Sequence, residues 1–198
     1  MGDKVDKAFW SDRYVNKNTG WDMGMISPPL KSFFSGLKDK SLSILLPGCG
    51  NAWEAAWLFE NGFQHVTIVD IVEEPLQNFR KSYPGFPEQN ILAKDFFTLD
   101  AHFDLIIEQT FYCAISPIDR DQYVEKMFSL LNPGGLLAGV FFNDPNLTLE
   151  SPPFRCLEEE YIQRFSRFFH IRKLEPCHNS VPPRSGRELF FIFEKKHH

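Results

Sequence analysis

The sequence has little positive charge and no cluster of it. Its 21 Lys and Arg residues are outnumbered by 26 Asp and Glu residues, and the net charge is −5 at pH 7. Nucleic acids and anionic membrane surfaces are bound by concentrated basic patches, so neither is expected as a partner. No apolar stretch approaches the ~20 residues that span a bilayer, and the polar first residues do not resemble a signal peptide. We therefore expect a cytoplasmic protein without a membrane partner.

Cysteine is also scarce, with four residues far apart in the chain. Because no C-x-x-C pair is present, the sequence predicts neither a metal site nor a disulfide framework. Isolated cysteines of this kind are typical of a reduced, cytosolic protein. The 198 residues contain no internal repeat and no linker, which indicates a single domain over residues 1–198. We expect that domain to be a monomer.

Two glycines follow the apolar run at 44–47, and their spacing predicts a strand, a tight turn and a helix start. Gly48 and Gly50 let the backbone turn sharply and let a ligand approach the main chain near the positive end of a helix. The dinucleotide fingerprint needs a third glycine where Trp53 stands, which argues against NAD. A phosphate-binding P-loop is excluded because no G-K-[ST] follows. What remains is an adenosine-type ligand without phosphate.

Helical and strand patterns alternate along the chain. This alternation predicts an α/β fold: a Rossmann-like, doubly wound, mostly parallel sheet of seven strands with helices on both faces. The last two strands have no helix between them, so the final strand is expected to be antiparallel. The predicted strands are 44–47, 66–69, 91–93, 103–107, 136–142, 171–174 and 188–194, and the predicted helices are 3–16, 28–38, 52–60, 73–82, 119–131 and 158–168. Residues 1–40 are expected to form an N-terminal helical lid on a core at 41–196.

Polar residues stand where several predicted strands end, which is where sheets of this kind bind ligands. Asp70 lies 20 residues beyond Gly50 and is interpreted either as a ribose ligand or as a helix N-cap. Asp95 is interpreted either as an acceptor for the adenine amine, with Phe96 against the ring, or as a surface acid beside core phenylalanines. Gln109 follows the fourth strand.

The aromatic residues are unevenly distributed. All four tryptophans lie in the first 57 residues, while 21 phenylalanines are spread along the chain. The phenylalanines indicate an aromatic core. Trp10 and Trp21 are interpreted either as packing residues or as a cover that stacks on a positively charged ligand, an attraction of about 0.5–2 kcal/mol.

These features occur in a set of motifs that keeps its order along nearly the whole chain. The motifs are F-W-S-D-R-Y-V-N-K-N-T-G-W-D at 9–22, L-P-G-C-G-N-A-W-E at 46–54, V-D at 69–70, K-D-F-F at 94–97, T-F-Y-C-A-I-S-P at 110–117, M-F-S-L-L-N-P-G-G at 127–135 and P-P-R-S-G at 182–186. The chain resembles an S-adenosylmethionine-dependent methyltransferase. More narrowly, it is similar to the thiopurine S-methyltransferase superfamily, which includes the plant and fungal halide and thiol methyltransferases.

The resemblance implies S-adenosylmethionine as cofactor, a small-molecule methyl acceptor and a set of site residues. Trp21, Gln109 and Arg184 match positions near the acceptor. Two residues depart from the family pattern: Gln109 replaces an arginine or tyrosine, and Tyr14 replaces a tryptophan. Arg184 is interpreted either as a partner of an anionic acceptor or as a solvated loop residue. The cofactor contacts implied are Trp10, Tyr14, Trp21, Gly48, Gly50, Asp70, Asp95, Phe96 and Gln109.

The sequence offers no certain catalytic residue. A thiol acceptor brings its own nucleophile, so alignment and exclusion of water would be the enzyme's task. The hypothesis is therefore in-line methyl transfer to a soft nucleophile, most simply a thiol or thiopurine sulfur. The alternatives are a halide or other small acceptor, or a cofactor-binding protein without turnover. Residues 3–25 are expected to tighten over the cofactor when it binds.

Overall fold

The computed structural model describes residues 5–197, and its strands form one sheet. Their order across the sheet is β3-β2-β1-β4-β5-β7-β6. The strands are β1 (Ser43–Pro47), β2 (His65–Asp70), β3 (Ile91–Ala93), β4 (Phe103–Gln109), β5 (Leu131–Phe142), β6 (Phe169–Pro176) and β7 (Glu188–Lys195).

The first five strands pair in parallel, and β7 inserts between β5 and β6, antiparallel to both. The predicted seven-stranded, mostly parallel sheet with an antiparallel last strand is therefore confirmed. The chain winds outward from β1 to β3 and then returns to place β4 beside β1. This reversal opens a crevice at the carboxyl ends of β1 and β4, the usual ligand position in such sheets.

Helices cover both faces of the sheet, as predicted. One face carries α2 (Pro28–Gly36), α3 (Trp53–Glu60) and α4 (Glu73–Ser82), and the other carries α5 (Arg120–Leu130) and α6 (Glu158–Phe165). Alternate strand residues separate the two cores: Leu46 packs with the first group and Leu45 with the second. The remaining helix, α1 (Lys7–Val15), precedes them.

Most predicted boundaries agree with the structure to within about two residues, and two differ in an informative way. The predicted N-P-G-G turn after α5 is absorbed into β5: the strand starts at Leu131, and residues 132–135 bulge out before pairing with β4 resumes at Leu136. The first helix is shorter than predicted, because Asp6 caps it and it ends at Val15. The earliest residues of that predicted helix, 3 and 4, lie outside the described part of the chain.

Candidate functional site

A cavity of about 830 Å³ lies at the carboxyl ends of the central strands. Drug-sized and cofactor-sized ligands occupy cavities of roughly 300–1,000 Å³. Every residue predicted for the site lines it, so the structure brings together residues from positions 10 to 184. They are Trp10, Tyr14, Trp21, Gly48, Gly50, Asp70, Asp95, Phe96, Gln109 and Arg184.

The glycine turn after β1 forms the floor of the cavity. Gly48 and Gly50 have φ angles of 58° and 52°, in the left-handed region that glycine adopts without strain. Gly48 has a second constraint that the sequence did not reveal: a Cβ at this position would overlap the ring of Phe111. The Gly50 N–H donates to the Asp70 carboxylate at 2.8 Å, so the turn is held from the end of β2.

Asp70 is not the N-cap of α4, because Val72 occupies that position. The second carboxylate oxygen of Asp70 instead accepts a hydrogen bond from the Val72 N–H at 2.9 Å. Burial raises the pKa of Asp70 above its ordinary value, although hydrogen bonds from backbone N–H groups favour the charged form. A half-buried carboxylate with unused lone pairs at the cavity surface is suited to accept hydroxyl hydrogen bonds.

Asp95 and Phe96 lie at the far end of the cavity. The Asp95 carboxylate accepts the Phe97 N–H at 2.9 Å and so caps a short 3₁₀ turn. Phe96 is 4% exposed and packs edge-on against Phe111. Phe96 belongs to the core and also lines the cavity, and the adenine contact of Asp95 and Phe96 stays a prediction.

An aromatic wall closes the opposite side. Trp21 is met edge-on by Trp10 and Tyr14, with ring centroids 5.4 Å and 5.7 Å away. The Tyr14 hydroxyl lies over the glycine turn, 3.0 Å from where a Cβ of Gly50 would stand. Burial, with Asp70 nearby, raises the pKa of Tyr14 well above its usual range, so the phenol stays neutral.

Trp21 belongs to a segment of residues 20–27, which we name the strap. The Asp22 carboxylate accepts hydrogen bonds from the Asn51 amide at 2.5 Å and the Trp53 indole N–H at 2.7 Å. Trp53, which occupies the position of the third dinucleotide glycine, thus ties the strap to the start of α3. Sequence reasoning missed this contact, because its partners are 31 residues apart and no local pattern joins them.

Two further buried contacts hold the strap. The Ser27 N–H donates to Glu54 at 2.9 Å, and the exposed fractions of these residues are 1% and 5%. Burial raises the pKa of Glu54. The Trp21 carbonyl accepts a hydrogen bond from Arg184 at 2.6 Å.

Arg184 is buried, which corrects the interpretation of a solvated loop arginine. Its exposed fraction is 7%, and its Nη1 lies 3.1 Å from the Glu188 carboxylate. Phe142 lies beneath the guanidinium at 5.1 Å. Arg184 therefore reaches the cavity with its charge already paired.

The turn after β4 completes the wall. Glu108 is fully buried and accepts the N–H groups of Phe111 at 2.5 Å and Tyr112 at 3.2 Å and the hydroxyl of Tyr123. Burial raises the pKa of Glu108 to about 7. Beside it, Gln109 faces the cavity, and its buried Oε1 accepts no hydrogen bond from residues 5–197.

Comparison with known proteins identifies this arrangement. A model of the thiopurine S-methyltransferase family matches residues 5–197. The chain belongs to this family. The thiopurine S-methyltransferase of Vibrio vulnificus (strain YJ016) is 28% identical over 191 residues, which cover 85% of each chain. Probable thiol methyltransferase 2 of Arabidopsis thaliana is also 28% identical, over 94% of this chain and 84% of its own.

A solved structure supports the same fold. It is a 1,6-didemethyltoxoflavin-N1-methyltransferase of Burkholderia thailandensis with bound 1,6-didemethyltoxoflavin and S-adenosylhomocysteine. The two folds agree with a TM-score of 0.80 at 19% identity, covering 98% of this chain and 88% of the other. The chain is therefore an S-adenosylmethionine-dependent methyltransferase, and the predicted enzyme class and cofactor are confirmed.

The residues present fit this cofactor. The buried Gln109 oxygen lacks a donor within residues 5–197, and a cofactor with an ammonium group and hydroxyl groups supplies such donors. The edges and faces of Trp10, Tyr14 and Trp21 suit a sulfonium cation. Over residues 5–197, no cluster of His, Cys, Asp and Glu suited to a metal is found. None of the helices in that range is both long and apolar enough to cross a membrane.

Proposed function

We propose that this methyltransferase transfers the methyl group to the sulfur of a small thiol or thiopurine-type acceptor. One observation carries the proposal: the carboxylates around the cavity floor are engaged by hydrogen-bond donors. Asp70 accepts two backbone N–H groups, Glu54 accepts one and Asp22 accepts two side-chain donors. None of these three acids is held as a free base, which favours an acceptor that brings its own nucleophile, as a thiolate does.

On the cofactor side, the proposal assigns a contact to each predicted residue. The backbone at Gly48 and Gly50 would line the cofactor, and Asp70 would accept the ribose hydroxyl hydrogens. Asp95 and Phe96 would hold the adenine. Bound S-adenosylmethionine supplies an electrophilic methyl group on a sulfonium. The aromatic faces of Trp10, Tyr14 and Trp21 would stabilise its positive charge, and Gln109 would accept from the methionine end.

On the acceptor side, the wall is mainly apolar and holds few unpaired charges. Gln109 and Trp21 flank it, while Arg184 fixes the Trp21 carbonyl rather than presenting a free cation. We therefore assign Arg184 to positioning Trp21. The residues that complete this part of the wall are Cys113, Ala114, Ile115, Ser116, Phe142, Pro152, Pro153 and Pro183. An apolar surface of this kind suits a weakly hydrated sulfur nucleophile better than a strongly hydrated oxygen anion.

An acceptor panel tests the proposal. The full chain would be assayed with S-adenosylmethionine and a thiopurine, an aromatic thiol, the matching phenol and iodide. We expect a methylated sulfur product in equimolar amount with S-adenosylhomocysteine, and little reaction of the phenol. Turnover of the phenol or iodide without turnover of any sulfur acceptor would refute the proposed acceptor class.

A second candidate function rests on Asp119. Its half-buried side chain lines the cavity and accepts no hydrogen bond from residues 5–197, so it is available as a general base. An oxygen or nitrogen acceptor, which must lose a proton, would need such a base. Asp119→Asn separates the two candidates: a drop in kcat of about 100-fold or more supports base catalysis. An unchanged kcat with a thiol acceptor supports methyl transfer to sulfur, the first candidate.

The proposal also includes the arrangement of the chain. Residues 5–40 would cover the cofactor and residues 41–196 would form the core, with α1 tightening when the cofactor binds; residues 1–4 of the predicted lid lie outside the described part of the chain. Stronger protection of residues 7–15 from proteolysis in the presence of S-adenosylhomocysteine is the expected result. A monomer in the cytosol is the expected state, in keeping with four unpaired cysteines. Light scattering of the purified chain tests whether it is a monomer.

A further inference from the structure

The cations of the cavity wall differ in what they contact. Four basic residues line the cavity: Arg13, Lys94, Arg184 and Arg187. Arg184 is paired with Glu188 at 3.1 Å, and Arg187 is paired with Asp144 at 2.5 Å. Lys94 is exposed to solvent. Arg13 is partly buried, and no carboxylate of residues 5–197 forms an ion pair with it.

The contacts of Arg13 orient its guanidinium without neutralising it. Its Cζ lies 4.4 Å from the centre of the Phe9 ring, and Phe9 in turn meets Trp10 edge-on at 5.1 Å. The Nε atom is buried and has no hydrogen-bond partner within residues 5–197. A partly desolvated arginine with an unused donor is costly unless a ligand completes its hydrogen bonds.

The neighbouring acids do not supply the hydrogen-bond acceptors that the Arg13 guanidinium lacks. The Asp6 carboxylate caps α1 by accepting the N–H groups of Ala8 and Phe9. Asp12 is exposed and bonded to the Asn16 amide at 2.9 Å. Asp22 accepts donors from α3 and the turn before it. The acids nearest to Arg13 in sequence, and the one at the tip of the strap, are therefore all engaged elsewhere.

We infer that Arg13 is the carboxylate-binding residue of this cavity. The planar guanidinium presents two parallel N–H groups, which match the two oxygens of a carboxylate. Trp10 and Tyr14, three positions before and one after Arg13 on α1, also line the cavity, so a carboxylate at Arg13 would sit beside the aromatic wall. This inference rests on the proposed function. The carboxylate has two possible sources, the methionine end of the cofactor and the acceptor.

Binding measurements distinguish the sources. Arg13→Gln removes the charge and keeps most of the side chain. Titration calorimetry of the full chain would compare S-adenosylhomocysteine with its decarboxylated counterpart. If the cofactor supplies the carboxylate, Arg13→Gln weakens S-adenosylhomocysteine by roughly 10- to 100-fold and leaves the decarboxylated compound unchanged. Arg13→Lys should bind S-adenosylhomocysteine more tightly than Arg13→Gln does, because lysine keeps the positive charge but lacks the two parallel N–H donors of arginine.

The acceptor arm compares two aromatic thiols, one with a carboxylate on the ring and one without. If the acceptor supplies the carboxylate, Arg13→Gln raises the KM of the first thiol about tenfold and leaves S-adenosylhomocysteine binding unchanged. Arg167→Gln is the matched control, because Arg167 is 58% exposed and is absent from the cavity wall. It should change neither measurement.

Two outcomes would overturn the inference. One is unchanged binding and unchanged KM in Arg13→Gln. The other is an equal loss for the carboxylated and decarboxylated compounds, which would show that Arg13 only supports α1. A wild-type chain that binds S-adenosylhomocysteine but methylates no thiol would refute the proposed acceptor class. The calorimetric arm would still decide the role of Arg13 in that case.

Discussion

Two neighbouring segments cover the same cavity in different ways. Helix α1 has no buried residue and reaches the site through ring edges of Trp10 and Tyr14 against Trp21. The strap, only a few residues later, is tied to the core through Asp22, Glu54 and Arg184. From this difference we infer that α1 and the strap do not open together as one lid. The residues that fix each segment to the core decide which part moves.

Local stability follows from these contacts. Segments with few buried contacts open with little free energy, whereas segments held by buried hydrogen bonds open only with the core. Residues 16–19 connect the two segments, and Lys17 has a φ of 54° there. We therefore expect α1 to move over a strap that stays in place. Variants in the two segments test this expectation.

The largest effect is expected from Asp22→Ala. It removes the shared acceptor of the Asn51 amide, the Trp53 indole and the Gly24 N–H. The free energy of unfolding should fall by about 2–3 kcal/mol, measured by urea denaturation. Asp12→Ala is the control on α1, where the carboxylate is exposed, and it should cost less than about 0.5 kcal/mol. Equal effects of the two variants would contradict the contrast.

A smaller effect is expected from Trp53→Phe, which removes one donor to Asp22 and keeps an aromatic ring. We expect a loss of about 1 kcal/mol, and in a double-mutant cycle it should couple to Asp22→Ala by a similar amount. Trp57→Phe makes the same change on the same helix, but the Trp57 ring packs against Phe34, and the donors to Asp22 found within residues 5–197 do not include its indole. Its effect should add to that of Asp22→Ala. If Trp53→Phe and Trp57→Phe are both additive with Asp22→Ala, the hydrogen bond between Trp53 and Asp22 does not stabilise the protein.

Glu54 makes the strap sensitive to pH. Its pKa is raised by burial above the ordinary 4.5, so the folded protein holds this proton more tightly than the unfolded chain. The contribution of protonated Glu54 to the free energy of unfolding is complete below pH 4.5. It is lost as the pH rises through the pKa of Glu54 in the folded protein. Relative to the Glu54→Gln variant, the wild type should lose unfolding free energy as pH rises. Parallel curves of unfolding free energy against pH would refute this role of Glu54.

The smallest effect on global stability is expected from Asp6→Ala, which removes the N-cap of α1. Loss of a cap destabilises a helix by about 1 kcal/mol. Because α1 has no buried residue, the unfolding midpoint should change little, while hydrogen exchange at Ala8 and Phe9 should become faster. A fall in global stability as large as that of Asp22→Ala would mean that α1 is anchored to the core.

The fold could be predicted to the extent that its signals are local. Helix α4 and strand β3 have the predicted bounds, because a proline in the first turn and the P-G-F-P break mark them in the sequence. The N-P-G-G segment shows the limit of such signals: its residues are typical of a turn, yet β4 pairs on both sides of it and makes it a bulge. The insertion of β7 between β5 and β6 also has no local signal.

The candidate site divides in the same way. The strand, turn and helix around Gly48 and Gly50, the acids at the strand ends and the family could all be predicted from the amino-acid sequence. Three contacts became visible only in the folded chain: Trp53 donates to Asp22, Arg184 is buried against Glu188, and Arg13 lines the cavity with no ion pair to residues 5–197. The two groups of features differ in the sequence distance over which their interactions act. Turn and helix preferences act over a few residues, whereas these contacts depend on which strand ends and loops the whole sheet brings together.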